Sequence, residues 1–228
     1  MFYDDVMKSI NIYNLSIYEN IDEATISKWL TFVAPKQRER LLRFHFREDF
    51  LRSLFGEAML RIVVGEKVGI PPESLKITRP ERGRPFFLDY PELHFNISHS
   101  GDWAVCALSE ILVGIDIEEV KLNGISSSLV RKVLTEKEQE YMEKLPDGQK
   151  NAAFYRFWTI KEAYAKCDGR GLGISLNKID IDIDRQAIYL VDEGHVWNGM
   201  MKNIDFQDDY MMAVCAVEAC EISMKSLF

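Results

Sequence analysis

At 228 residues, the chain has the length of one large domain or two small ones joined. Its 47% apolar content suffices for a core and excludes a mainly disordered chain, and no apolar run approaches the roughly 20 residues a membrane helix needs. A net charge of −8 argues against a general nucleic-acid binder, which needs a basic face.

The chain opens Met1-Phe2-Tyr3-Asp4-Asp5, with acid where a secretory signal carries Lys or Arg, so no targeting segment is expected. Residues 10–17 alternate apolar and polar and predict a strand. Residues 35–43 and 47–64 predict helices. In the second, Phe50, Leu51, Leu54, Phe55, Ala58, Met59 and Ile62 form an apolar stripe at helical spacing. Gly69-Ile70-Pro71-Pro72 stops it. Strands follow near 74–79, 93–98 and 102–109, the last two joined as a hairpin at Ser100-Gly101, and another strand covers 111–118. Thr135 with Glu138 fits a capping box opening a helix to about residue 145. Pro146-Asp147-Gly148 reads as a turn, and 150–167 as a second long helix ending at Asp168-Gly169-Arg170-Gly171-Leu172-Gly173. Strands near 178–184, 187–192 and 210–218 close the chain. Cys106, Cys167, Cys215 and Cys220 include no metal-type pair, and a disulfide framework does not suit this size, so a reduced, cytoplasmic protein is expected.

The halves echo one another. Ala104-Val105-Cys106-Ala107-Leu108 recurs as Ala213-Val214-Cys215-Ala216-Val217, Phe55-Gly56-Glu57-Ala58 as Ile160-Lys161-Glu162-Ala163, and Leu75-Lys76-Ile77 as Leu176-Asn177-Lys178-Ile179. The order is shared and the offset is about half the chain. This is too long a period for a solenoid and predicts two similar α+β subdomains, 1–111 and 112–228, with a site where they meet.

Charge is unevenly placed. Lys36, Arg38, Arg40, Arg43, Arg47 and Arg52 cluster in 36–52, and Arg79, Arg82 and Arg84 form a second basic knot. A solvated helix face with i,i+4 pairs and a local anion site both fit this pattern. In Gly114-Ile115-Asp116-Ile117-Glu118, strand alternation puts Asp116 and Glu118 on one face, ~6–7 Å apart at their α-carbons and within reach of one hard cation. A half-buried strand with a polar outer face has the same pattern, and Asp180, Asp182 and Asp184 show how readily it arises. Trp158, Glu162 and Lys166 share one helix face; Glu162 then either pairs with Lys166 or adds a third carboxylate to the ion while Lys166 meets an anion. Adjacent Ser98 and His99 would point to opposite sides of their strand, which excludes a nucleophile–base pair there. Both are reasonable phosphate donors, although a lone His is more often structural. His45, His94 and His195 lack zinc spacing.

Taken together, these runs resemble the 4′-phosphopantetheinyl transferases of the surfactin-synthetase-activating (Sfp) type. Residues 114–118 match G-[IV]-D-[IVL]-E, 158–166 match W-[ST]-x-K-E-A-x-x-K, 95–100 match F-N-[ILV]-S-H-S, and Gly83-Arg84-Pro85 matches G-[KR]-P. The match continues through Arg47-Glu48-Asp49 with Arg52 and through 212–216, in family order along nearly the whole chain. The resemblance implies a pseudo-two-fold duplicated α+β fold working as a monomer. It also implies transfer of phosphopantetheine from coenzyme A to a serine of an apo carrier protein, with release of adenosine 3′,5′-bisphosphate. Asp116, Glu118 and Glu162 then match the Mg²⁺ ligands, with Mn²⁺ as an alternative ion. Lys166 matches the phosphate contact, and Ser98, His99, Arg52, Arg84 and Pro85, with Arg40 more loosely, match coenzyme A contacts. A protonated His99 would suit the 3′-phosphate. Glu138 matches a glutamate proposed to activate the acceptor serine, yet it is also the third residue of the capping box, and one carboxylate serves only one of these jobs well. The partners implied are carrier domains of peptide, polyketide or fatty-acid synthases, with neither nucleic acid nor membrane involved. The competing classes are a coenzyme A-binding protein without transfer activity and a metal-dependent pyrophosphate hydrolase.

Overall fold

The computed structural model describes residues 8–17, 21–81, 83–121, 124–170 and 173–227. Arg82, Gly171, Leu172 and the acidic start of the chain lie outside them. The first half runs β1 (Ser9–Ser16), α1 (Glu23–Thr31), α2 (Pro35–Leu41), α3 (Arg47–Val68), β2 (Ile77–Thr78), β3 (Phe86–Phe87), β4 (His94–Ser100) and β5 (Trp103–Ser109). The second runs β6 (Val113–Glu119), α4 (Ser127–Val133), α5 (Glu136–Glu143), α6 (Asp147–Asp168), β7 (Ile179–Asp182), β8 (Ala187–Leu190), β9 (His195–Trp197), β10 (Met200–Ile204) and β11 (Tyr210–Ala216), and β12 (Glu221–Ser226) ends it.

The repeated segments occupy matching places. Ala104–Leu108 lies in β5, inside a sheet ordered β12-β1-β5-β4; Ala213–Ala216 lies in β11, the middle strand of a sheet ordered β10-β11-β6. Each sheet is covered by one 22-residue helix, α3 or α6, which ends on a left-handed glycine, Gly69 (φ 75°) or Gly169 (φ 87°). Only glycine takes such a φ without a Cβ clash. A short 3₁₀ turn follows each, at Pro72–Ser74 and Leu176–Lys178, and leads into β2 or β7.

Period-two alternation then builds the layers. On β5, Ala104, Cys106 and Leu108 join the core under α3, while Val105 and Ala107 face the other sheet. On β11, Ala213 and Cys215 join the core under α6, while Met212, Val214 and Ala216 face back. The result is helix, sheet, sheet, helix, with a shared apolar layer completed by Ile115 and Ile117 of β6. α6 approaches β6 so closely that a Cβ at Gly114 would overlap the Ala163 carbonyl, so this strand position has room only for hydrogen. β12 runs parallel to β1, which takes residues 221–226 back onto the first sheet.

Three departures from expectation have simple causes. Pro146-Asp147-Gly148 is not a turn but the entrance to α6, because proline's fixed φ suits a helix start as well as a bend. The strand expected over 74–79 shrinks to Ile77–Thr78 behind the 3₁₀ turn. Sequence reading passed over α1 and α4, although Asp22 caps the first by accepting from Thr25 N at 2.8 Å and Ser126 caps the second.

Candidate active site

The two sheets meet edge to edge where β4 lies beside β6. Phe95 and Ile97 of β4 pack under α3, so Asn96, Ser98 and Ser100 project from the opposite face, toward β6. On β6, Ile115 and Ile117 enter the shared core, so Asp116 and Glu118 project toward α6, where Glu162 and Lys166 share one helix face. Two alternations and one helical repeat thus gather Ser98, Asp116, Glu118, Glu162 and Lys166 at the junction.

Lys166 Nζ is the hub. It donates to Asp116 Oδ1 at 2.6 Å, to Ser98 Oγ at 3.0 Å and to the Ile115 carbonyl at 3.1 Å. Ser98 Oγ in turn donates to Asp116 Oδ1 at 2.8 Å. Ser98, expected to contact coenzyme A, therefore has its single proton committed to Asp116. Glu162 is not the ion-pair partner of Lys166; Asp116 is. Burial, reinforced by Asp116, pushes the Glu118 carboxyl up to about 7, and the same causes raise Glu162. The cluster is short of positive charge.

Among the described residues, no three metal-ligating side chains are already drawn together. The donors present nonetheless fit a hard divalent cation. Asp116 Oδ2 is buried without a hydrogen-bond partner, and the Glu118 and Glu162 carboxyls are raised by burial and then by the Asp116 charge, both of which a cation would offset. Mg²⁺ typically takes only one or two carboxylates and completes its shell with water and phosphate oxygens, so a closed protein cage is not required.

His99 points to the other face of β4, away from Ser98. His99 is exposed there, and desolvation by its neighbours and the nearby Arg52 guanidinium push its imidazole below the usual range in the free protein. Arg52 donates to Asp49 Oδ1 at 2.7 Å and to the Gly101 carbonyl at 3.3 Å. Arg84 reaches across the halves and donates to the Cys167 carbonyl at the C-terminal end of α6, at 3.0 Å, and Pro85 leads from it into β3. Arg40 is placed otherwise. It lines a cleft of about 520 Å³ with Lys36, Arg43 and Arg79, whose walls include none of the other expected coenzyme A contacts.

Glu138 belongs to the capping box. Glu138 N donates to Thr135 Oγ1 at 3.3 Å, while Glu138 Oε2 accepts from Thr135 N at 2.8 Å and from Lys161 Nζ at 2.5 Å. Its Oε1 accepts from Ile181 N at 2.9 Å. Both oxygens are engaged, and the residue is 2% exposed. The sequence showed the cap; it did not show the buried Lys161, which is 0% exposed and also donates to the Val133 carbonyl. Ser100 was missed as a site residue too, although its place two residues after Ser98 was a usable signal. A cleft of about 420 Å³ lined by Leu129, Val133, Trp158, Ile174 and Leu176 opens beside Glu162.

Comparison with known proteins agrees with this arrangement. Residues 112–215 match the family described as the 4′-phosphopantetheinyl transferase superfamily, and residues 21–111 match the one described as 4′-phosphopantetheinyl transferase, N-terminal. The chain is 29% identical over 209 residues to the 4′-phosphopantetheinyl transferase Sfp of Bacillus subtilis, covering 91% of this chain and 92% of the relative. It is 32% identical over 186 residues to the transferase psf-1 of Bacillus pumilus, covering 81% and 78% respectively. It is 34% identical over 172 residues to the human L-aminoadipate-semialdehyde dehydrogenase-phosphopantetheinyl transferase, covering 69% and 56%. With a carboxylate–lysine cluster at the junction of two like halves and relatives that match along most of its length, this chain belongs to the 4′-phosphopantetheinyl transferase family.

Proposed function

We propose that the chain transfers 4′-phosphopantetheine from coenzyme A to a serine hydroxyl of an apo carrier protein, releasing adenosine 3′,5′-bisphosphate. The observation that carries this reading is the grouping of Asp116, Glu118, Glu162 and Lys166 where the two halves meet. The serine oxygen forms a new bond to the β-phosphorus and gives up its proton to water. The bond from that phosphorus to the oxygen bridging to the α-phosphate breaks, that oxygen leaving with adenosine 3′,5′-bisphosphate. The carrier supplies the nucleophile, so the chain's own work is positioning and charge.

Asp116, Glu118 and Glu162 would hold Mg²⁺, with Mn²⁺ a workable substitute. Bound there, the ion would neutralise charge on the pyrophosphate. Lys166 exchanges its bond to Asp116 for the phosphate that departs. Arg52 and His99, on the α3 side of β4, receive the 3′-phosphate end of coenzyme A. Glu138 is a structural residue in this reading. Both halves of the site lie in one chain, which supports a working monomer, and the four free thiols support a cytoplasmic setting.

The partners in this reading are carrier domains of peptide, polyketide or fatty-acid synthases, docking on the basic 36–52 segment. There Arg43 and Arg47 stand beside exposed Leu42 and Phe46. Arg38 serves the fold, donating to the Val33 carbonyl at 2.7 Å, so Arg43→Glu is the cleaner probe of docking.

Intact-protein mass spectrometry of apo carriers incubated with the chain, coenzyme A and Mg²⁺ tests the activity. A gain of one phosphopantetheine is expected, lost without metal and in Glu162→Gln. Coenzyme A binding with no gain on any carrier would favour a binding protein. Cleavage of coenzyme A without a carrier would favour a pyrophosphate hydrolase.

A further inference from the structure

β4 and β6 are both edge strands of their sheets, lying side by side without a backbone ladder between them. Side chains of β4 take the place of that ladder. Asn96 Oδ1 accepts from Ile115 N at 3.1 Å, Ser98 Oγ donates to Asp116 Oδ1 at 2.8 Å, and Ser100 Oγ donates to Glu118 Oε2 at 2.9 Å. Ser100 Oγ also accepts from Glu119 N at 3.0 Å. The seam therefore advances in step along both strands, and the residues of β4 that stitch it recur every second position.

The hydrogen-bond inventory fixes the direction of each link. A serine hydroxyl has one proton. Ser98 accepts from Lys166, and Ser100 accepts from the Glu119 amide, so in each case the remaining proton goes to the carboxylate. Each serine thereby satisfies one oxygen of its acid and leaves the second for another ligand. For Asp116 that second oxygen is the buried, unpartnered Oδ2. The backbone amide of Glu119 anchors Ser100 to β6 itself, so the hydroxyl that orients Glu118 is held by the strand that carries Glu118.

We infer that Ser100 is a positioning residue for Glu118: its hydroxyl, donated across the seam between the two halves, aims that carboxylate at the point shared with Asp116 and Glu162. This rests on the reading of those three acids as the cation centre. An outer hydrogen bond that orients a ligand is worth about 10–100-fold in metal affinity or activity. Asp116, by contrast, is held by Lys166 as well as Ser98, so its orientation depends less on one hydroxyl.

The test compares the full chain with Ser100→Ala and Ser100→Thr, reading Mn²⁺ binding by electron paramagnetic resonance without substrate, thermal stability without metal, and kcat and KM for coenzyme A. Ser100→Ala is expected to bind Mn²⁺ about 10–100-fold more weakly and to lose kcat with little change in KM. Ser100→Thr, which keeps the hydroxyl on a strand-compatible side chain, restores both. Wild-type Mn²⁺ affinity in Ser100→Ala would overturn the inference while leaving the cation centre intact. Equal losses in both variants together with lower metal-free stability would make Ser100 a structural residue and overturn it as well. A wild-type chain that binds no Mn²⁺ would instead overturn the cation centre on which the inference stands.

Discussion

Lys166 Nζ lies 2.6 Å from Asp116 Oδ1, 50 positions away in sequence, and only 26% of the lysine side chain is exposed. The ammonium holds Asp116 in the free protein, and in the proposed reaction it turns to the departing phosphate. Lys166→Ala should therefore lower kcat by about 10²–10³-fold, the usual effect of removing one donor to a developing charge. Thermal stability should fall as well, because the buried Asp116 carboxylate loses its counter-ion, so kcat is read per folded molecule. Wild-type kcat in the variant would remove Lys166 from the chemistry.

The buried pair of Glu138 and Lys161 makes a contrasting prediction. Removing one partner leaves an uncompensated charge in the core, so Lys161→Met should cost about 3–5 kcal/mol in urea unfolding. The double change Lys161→Met, Glu138→Leu should recover much of that loss. Glu138→Gln should unfold more easily yet keep the kcat of each folded molecule. A large fall in kcat at full folding would make Glu138 a base after all.

His99 sets a pH dependence. Desolvation by its neighbours and Arg52 depress its pKa in the free protein. A bound phosphate raises that pKa. Coenzyme A affinity should then climb as pH falls through the bound-state pKa, by up to about tenfold per unit, and level off below the free-state value. Calorimetry between pH 8 and 6 should show this climb, with a smaller slope for His99→Gln and for dephospho-coenzyme A. Equal slopes for all three would separate His99 from the 3′-phosphate.

The approach of α6 to β6 is the tightest packing constraint behind the site. In Gly114→Ala the new methyl meets the Ala163 carbonyl and the Cys167 amide, backbone atoms that cannot rotate away. The expected cost is about 1–3 kcal/mol, or ~2–4 °C in Tm for each kcal/mol in a chain of this size. Because the helix that moves carries Glu162 and Lys166, kcat should fall as well. A variant with unchanged Tm and kcat would show that the helix has room to shift.

Local pattern alone determined much of this protein. The alternation of 114–118, the four-residue spacing of Glu162 and Lys166, the cap at Thr135 and the recurrence of Ala-Val-Cys-Ala are all properties of neighbours in sequence. Strand and helix periodicity translate such neighbours directly into faces. Periodicity thus put Asp116, Glu118, Glu162 and Lys166 on shared faces, and the family resemblance singled them out from runs of the same pattern such as Asp180, Asp182 and Asp184. Partners were another matter. That Lys166 pairs with Asp116 and not with Glu162, that Ser98 and Ser100 spend their protons on carboxylates, and that Glu138 meets Lys161 all depend on which elements the fold sets side by side. A side chain chooses among donors and acceptors only after packing has desolvated them and fixed their distances, and that choice is long-range. Tertiary structure alone decided it.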